Sequence, residues 1–195
     1  ISTEDIDAVS YQLKKKMVSN GEETRKFELD FSSLLSFEYS KTTVSGTSAI
    51  IVALKALEVG CGDEVIIPTY VCKSVKQAVN AVGAKEVLCD IGPYWISTKD
   101  SISKKISSKT KAIIVVHTFG IDATIPDLNN FSIPIINDCC QSLGRNFDGE
   151  WIGKNGDISV YSLHPTKCLT AGEGGVVSTN NLKLIKNIKS LVFED

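Results

Sequence analysis

Short aliphatic runs set at intervals, with helix-length segments between them, constrain this chain more than any other feature. Lys111 to Val116 is almost unbroken Ala-Ile-Ile-Val-Val, and Glu64 to Ile67, Lys85 to Asp90, Ile133 to Asn137 and Ile158 to Tyr161 have the same character. Gly175 to Thr179 reads as a further strand. Ala49 to Leu57, Ser74 to Val82 (closed by Gly83), Thr98 to Ile106 and Leu182 to Phe193 read as helices. Strands that are apolar on both faces must be covered on both faces, and parallel neighbours need a crossover, usually helical. The expected fold class is therefore α/β: three layers, α/β/α, around a mostly parallel sheet. Ahead of this core, Ser2 to Met17 carries Ile6, Val9, Leu13 and Met17 at helical spacing, which predicts a surface helix. Glu22 to Leu35 predicts a second helix with Phe27, Phe31 and Leu34 on one face, and Tyr39 to Val44 a short strand.

In such sheets, ligands sit beyond the carboxyl ends of the strands. The chemistry-bearing residues follow that rule. Asp138 succeeds Ile133 to Asn137, His117 succeeds Lys111 to Val116, Tyr70 lies just past Pro68, and Ser162 succeeds Ile158 to Tyr161. Ser45-Gly46-Thr47-Ser48 opens a strong helix, so its free amides and hydroxyls suit a phosphate; an N-cap with no ligand is the plainer reading. The turn is neither a P-loop nor a GxGxxG dinucleotide fingerprint. A carboxylate at the end of a buried strand needs a partner, and for Asp138 a protonated pyridine nitrogen, a helix amide or a buried base would each serve. Gln141 lies one helical turn on, where it faces either the same site or solvent.

Lys167 follows Ser162-Leu163-His164-Pro165-Thr166 and precedes Gly172-Glu173-Gly174-Gly175. A lysine between an apolar strand and a glycine turn can be held inside a fold, where desolvation makes it a nucleophile for a carbonyl. On its own it would read as a surface lysine; with Ser162, Asp138 and the Gly46 turn it suits the aldehyde of pyridoxal 5'-phosphate (PLP). His117 and His164 are candidate substrate groups, and His164 reads equally as a loop histidine.

Net charge is −2, which gives no pull toward nucleic acid or anionic membrane. The apolar runs are too short to cross a bilayer, and the acidic start Ile1-Ser2-Thr3-Glu4-Asp5 is unlike a signal peptide, so a cytoplasmic protein is expected. The six cysteines form no CxxC pair and there are only two histidines, so no metal site is expected. The thiols are expected reduced and mostly buried.

In order and spacing, these stretches resemble the sugar-nucleotide aminotransferases of the DegT/StrS type, within the fold-type-I PLP enzymes. The likeness runs from about Ile1 to Asp195. It is carried by Ser45 to Ala49, Gly62 to Pro68, Gly83-Ala84-Lys85, Thr110 to Ile114, Val116-His117, Asp138 with Gln141, Gly156-Asp157, Ser162 to Lys167 and Gly172 to Gly175. The resemblance implies a PLP-binding large domain, with N-terminal helices over about 1–38 and an α/β core over about 39–195. It implies that Lys167 carries the internal aldimine and moves protons, that Asp138 binds the ring nitrogen, and that Gln141 contacts the ring. Gly46, Thr47, Ser48 and Ser162 would hold the phosphate. The reaction implied is ping-pong amino transfer from an amino acid, usually glutamate, to a keto group of a nucleotide-linked sugar, in a homodimer. The retained Lys167 sets the chain apart from dehydratases of the same fold, in which histidine replaces that lysine.

Two departures stand out. Cys72 occupies the place where an aromatic ring usually covers the cofactor, with Tyr70 two residues earlier. The sequence to Asp195 also lacks the C-terminal small domain of typical relatives. The alternative expectation is therefore a truncated, non-catalytic PLP-domain protein acting in dimerisation, sensing or partner binding.

Overall fold

A computed structural model describes residues 1–16, 20–123 and 132–192. Two helices, α1 (Thr3–Lys14) and α2 (Glu22–Leu35), precede the core. Ser2 caps α1 in a reciprocal capping box with Asp5, and α1 buries none of its residues. Met17, the last apolar position expected on this helix, lies outside the described residues. On α2 the buried positions are Glu28, Phe31, Ser32 and Leu35, while Leu34 is 63% exposed. The buried face is thus rotated by one residue from the expected Phe27–Phe31–Leu34 stripe. The cause is Glu28, whose Oε1 accepts hydrogen bonds from Thr42 N at 2.8 Å and Thr42 Oγ1 at 2.7 Å. Its Oε2 lies 3.5 Å from Lys41 Nζ.

Thr42 and Lys41 belong to β1 (Tyr39–Thr43), which opens the core. The alternation follows: α3 (Gly46–Ala56), β2 (Glu64–Pro68), α4 (Lys73–Ala81), β3 (Lys85–Cys89), α5 (Lys99–Ser103), β4 (Thr110–Val116) and a 3-10 turn at Thr118–Gly120. Then come β5 (Ile135–Asp138), a small hairpin of β6 (Asn146–Phe147) and β7 (Glu150–Trp151), β8 (Ile158–Ser162), β9 (Gly175–Thr179) and α6 (Leu182–Leu191). Helix α5 stops short of the expected Ile106, giving way after Ser103 to turns ahead of β4; α6 ends at Leu191, and the expected Phe193 lies outside the described residues.

Seven strands form one sheet in the order β1-β9-β8-β5-β4-β2-β3. β9 runs antiparallel to both β1 and β8, and the remaining pairings are parallel. Alternate strand residues point to opposite faces. Val65, Ile67, Ala112, Ile114 and Ile136 pack under α3, α4 and α6, while Ile66, Ile113, Val115 and Ile135 pack with Ile102 of α5. Phe31 and Leu35 of α2 pack with Tyr161 and Val176 on that second face, farther along the sheet. The chain therefore has the expected three-layer α/β/α architecture.

The thiols differ from expectation. Only Cys89 and Cys139 are buried and Cys140 is half-buried; Cys61, Cys72 and Cys168 are exposed in turns and loops at element ends. No helix among the described residues is long and apolar enough to cross a membrane.

Candidate active site

The carboxyl ends of β2, β4, β5 and β8 and the N-terminus of α3 enclose a cavity of about 400 Å³. Strand β2 leads into Tyr70 and Cys72, β4 into Thr118, β5 ends on Asp138 and β8 on Ser162. Lys167 reaches the same cavity from the loop after β8, and Gln141 and His164 complete its rim.

At one end of the cavity, α3 starts directly against β8. Ser45 caps it in extended backbone, accepting a hydrogen bond from Ser48 N at 3.1 Å. Gly46 is required by close approach: a Cβ there would stand 2.8 Å from Ser162 Cβ and 3.1 Å from Cys140 Sγ. The amides of Gly46 and Thr47 have no hydrogen-bond acceptor among the described residues. Two unpaired amides at the positive end of a helix, beside the Ser162 hydroxyl, form a seat for a phosphate. Ser48, expected among the phosphate ligands, does not line this cavity. Its amide and hydroxyl both engage the Ser45 hydroxyl, and its side chain borders a separate cleft with Val44 and Leu163. Ser45, absent from the expected ligand set, lines the cavity in its place.

Asp138 is 6% exposed. Its Oδ1 accepts a hydrogen bond from Cys140 N at 3.0 Å, the Cys140 thiol lies against the same carboxylate, and no N–H among the described residues donates to Oδ2. A buried carboxylate oxygen left open toward a cavity calls for a cationic N–H. Lys167 is half-buried rather than enclosed, and its Nζ makes no ion pair or hydrogen bond among the described residues. Its charge, with hydrogen bonding from Ser74 as the larger cause, holds the Cys72 thiol below the ordinary thiol range. Cys140, half-buried beside Asp138, is pushed the other way by desolvation and by that carboxylate. Gln141 Oε1 accepts from Phe119 N at 2.9 Å, which leaves its NH₂ available to a ligand.

The two histidines part company. His164 is exposed at the rim, its Nδ1 2.9 Å from Thr166 Oγ1. His117, expected to meet substrate, is fully buried and does not line the cavity. Its Nδ1 accepts from Ala123 N at 3.0 Å, which places the ring proton on Nε2, donated to Asn137 Oδ1 at 3.0 Å. Asn137 Nδ2 in turn donates to Gly153 O at 2.9 Å. Burial lowers the His117 pKa. The Asp122 carboxylate, 3.7 Å from Nδ1, would pair with the ring only if it were protonated.

An unpaired phosphate seat, an open buried carboxylate oxygen and an unpaired amine within one cavity suit a flat, phosphate-bearing heterocyclic aldehyde such as PLP. No cluster of three or more potential metal ligands occurs among the described residues.

Comparison with known proteins identifies a family. Residues 1–194 match the model of the DegT/DnrJ/EryC1/StrS aminotransferase family. The chain is 36% identical over 177 residues to UDP-N-acetyl-3-dehydro-alpha-D-glucosamine 3-aminotransferase of Acidithiobacillus ferrooxidans, covering 88% of this chain and 48% of that protein. It is 34% identical over 171 residues to GDP-perosamine synthase of Escherichia coli O157:H7, covering 85% and 47%. The chain thus spans about half the length of the curated relatives it matches. Among solved structures, an aminotransferase from Psychrobacter cryohalolentis superposes with a TM-score of 0.90 at 31% identity, over 96% of this chain and 50% of that one. NtdA from Bacillus subtilis, with bound cofactor PMP, superposes with a TM-score of 0.83 at 29% identity, over 96% and 45%.

Proposed function

The chain belongs to the DegT/DnrJ/EryC1/StrS aminotransferase family, and we propose that it binds PLP and takes part in moving an amino group from an amino acid to a keto group of a nucleotide-linked sugar. The names of the relatives support the sugar-nucleotide acceptor, and the cofactor bound to NtdA supports PLP. The observation that carries the reading is that Lys167 Nζ and the Asp138 carboxylate, neither of them in an ion pair among the described residues, line one cavity.

PLP, when bound, supplies an electron sink for charge at the carbon that loses its proton. The chain's residues do the rest. The Gly46 and Thr47 amides and the Ser162 hydroxyl hold the phosphate. Asp138 Oδ2 holds a proton on the ring nitrogen. Gln141 reaches the ring substituents through its NH₂, while Tyr70 and Cys72 bound the cavity on the β2 side. Lys167 Nζ would be the amine that meets the cofactor's aldehyde and would hold or move a proton beside the amine-bearing carbon. We propose glutamate as the donor and a homodimer as the working form, as the resemblance implies, and the cytoplasm as its place, as the sequence reading implies.

Reconstitution tests the reading. Chain mixed with PLP is expected to gain the yellow absorbance of a cofactor bonded to lysine, and added glutamate to bleach it. Lys167→Ala is expected to abolish the absorbance with the circular-dichroism spectrum intact. A colourless wild-type chain, or an unchanged Lys167→Ala spectrum, would remove Lys167 from the site.

A further inference from the structure

At the cavity mouth, Tyr70 forms a cluster of rings with Trp95 and Phe119, two residues that the reading above does not use. Ring centroids lie 4.9 Å apart for Tyr70–Trp95, 6.3 Å for Tyr70–Phe119 and 6.4 Å for Trp95–Phe119. The rings are nevertheless 45%, 48% and 64% exposed, in the order Tyr70, Trp95, Phe119. They come from three separate segments, which follow β2, β3 and β4.

The backbone holds two of them there at a cost. Trp95 has φ 65° and Phe119 φ 56°, left-handed conformations that bulky residues rarely adopt. Trp95 N donates to Gly92 O at 3.2 Å and Gly92 N to Ile96 O at 2.7 Å, closing a turn under the indole, with Ile91 bridged to Ser97 below it. Phe119 N donates to Gln141 Oε1, which ties this ring to a residue of the cavity itself. Hydrophobic burial alone would draw such side chains inward; here local hydrogen bonds hold them at the surface, continuous with the cavity through Tyr70.

We infer that Tyr70, Trp95 and Phe119 form a stacking wall for the nucleobase of the nucleotide-linked sugar. The inference rests on the reading above. A sugar whose keto carbon meets Lys167 must lie within the cavity, and its diphosphate and base then extend outward past the mouth. The wall begins at Tyr70 on the cavity edge and continues outward through Trp95 and Phe119. It recognises a π face rather than a hydrogen-bonding edge, so it accepts uracil or guanine alike.

The test uses the chain reconstituted with PLP. Its two tryptophans are Trp95 and Trp151, so Trp151→Phe leaves the Trp95 indole as the reporter. Titration with uridine diphosphate or guanosine diphosphate is expected to quench that fluorescence saturably. Calorimetry of Trp95→Ala is expected to show about 5- to 100-fold weaker nucleotide binding, the loss of one stacking surface, with Trp95→Phe retaining most of the affinity. Cofactor absorbance should be unchanged in both variants, so loss of that absorbance would indict the cofactor reading and not the wall. Wild-type affinity in Trp95→Ala would overturn the inference. So would a chain that holds cofactor but binds neither nucleotide. Quenching by free hexose but not nucleotide would make the wall a sugar platform, and quenching by protein concentration alone would make it a contact between copies; either result overturns it.

Discussion

At the scale of the residue, His117 and Cys72 show how far type and position can mislead or inform. His117 has the place of a ligand group, directly after a central strand, yet both its ring nitrogens are spent inside the protein. The sequence shows that a histidine stands at a strand end; it does not show that Ala123 and Asn137 fold back to enclose it. Because burial lowers its pKa from the ordinary 6.5, the unfolded chain binds a proton there more readily than the folded one. Stability is therefore fully present above about pH 6.5 and declines as pH falls toward the lowered folded value, at no more than about 1.4 kcal/mol per pH unit for this one group. Urea midpoints measured from about pH 8 down to about pH 5 should show that decline, and His117→Asn should flatten it while lowering the whole curve. An equal slope in the variant would assign the decline to other groups. Cys72 shows the opposite case, an unremarkable residue made reactive by its neighbours. With its thiolate favoured by Ser74 and Lys167, it should alkylate with iodoacetamide faster than the exposed Cys61 and Cys168, by peptide mass spectrometry. Ser74→Ala should slow that reaction a few-fold, and bound PLP should protect the thiol. Equal rates at all three cysteines would contradict this.

At the scale of the element, periodicity located the strands and helices well because apolar alternation and helical spacing are local properties. Where it erred, a long-range partner decided. Helix α2 turns Glu28 inward because the Thr42 amide and hydroxyl on β1 require an acceptor, and no pattern within α2 announces that. Glu28→Ala should cost about 1–3 kcal/mol by chemical denaturation, through the unpaired Thr42 amide and a Lys41 charge left without this acid. A cost no larger than that of an exposed α1 substitution would show that Glu28 is not what sets the α2 face. The start of α3 is the element on which the site depends. Gly46→Ala forces a methyl against Ser162 and Cys140, so the helix must back away from β8. Its expected signature is weaker PLP binding, by about tenfold or more for a displaced charge-assisted contact, with only a modest loss of folding stability. Unchanged affinity would mean that the phosphate sits elsewhere.

At the scale of the whole molecule, the sequence specifies a parallel α/β sheet but not the order of its strands. β1, β2, β3 and β4 are joined in succession through α3, α4 and α5 and run parallel. Between β8 and β9 the chain turns back through a helix-free loop, and β9 returns antiparallel beside β8. That returning loop carries Lys167, which stays half-buried at the cavity. The order β9-β8-β5-β4-β2 then aligns the ends of β8, β5, β4 and β2 around one cavity. A ligand there bridges α3, β5 and the loop after β8, elements that are distant in sequence. Binding to the folded chain alone must therefore stabilise the whole fold, by about 2.7 kcal/mol at a hundredfold excess over Kd. For a chain of this size that corresponds to a rise in Tm of roughly 5–10 °C. Thermal unfolding with and without PLP measures it. Ser162→Ala should shrink the rise by weakening the phosphate seat. Lys167→Ala should keep part of it, because the seat and Asp138 remain. Inorganic phosphate alone should give only a fraction of the shift, since it spans none of the distance to Asp138. A full shift from phosphate alone would mean that the α3 terminus is an anion site with no heterocycle attached, and the shared cavity would then have no bearing on catalysis.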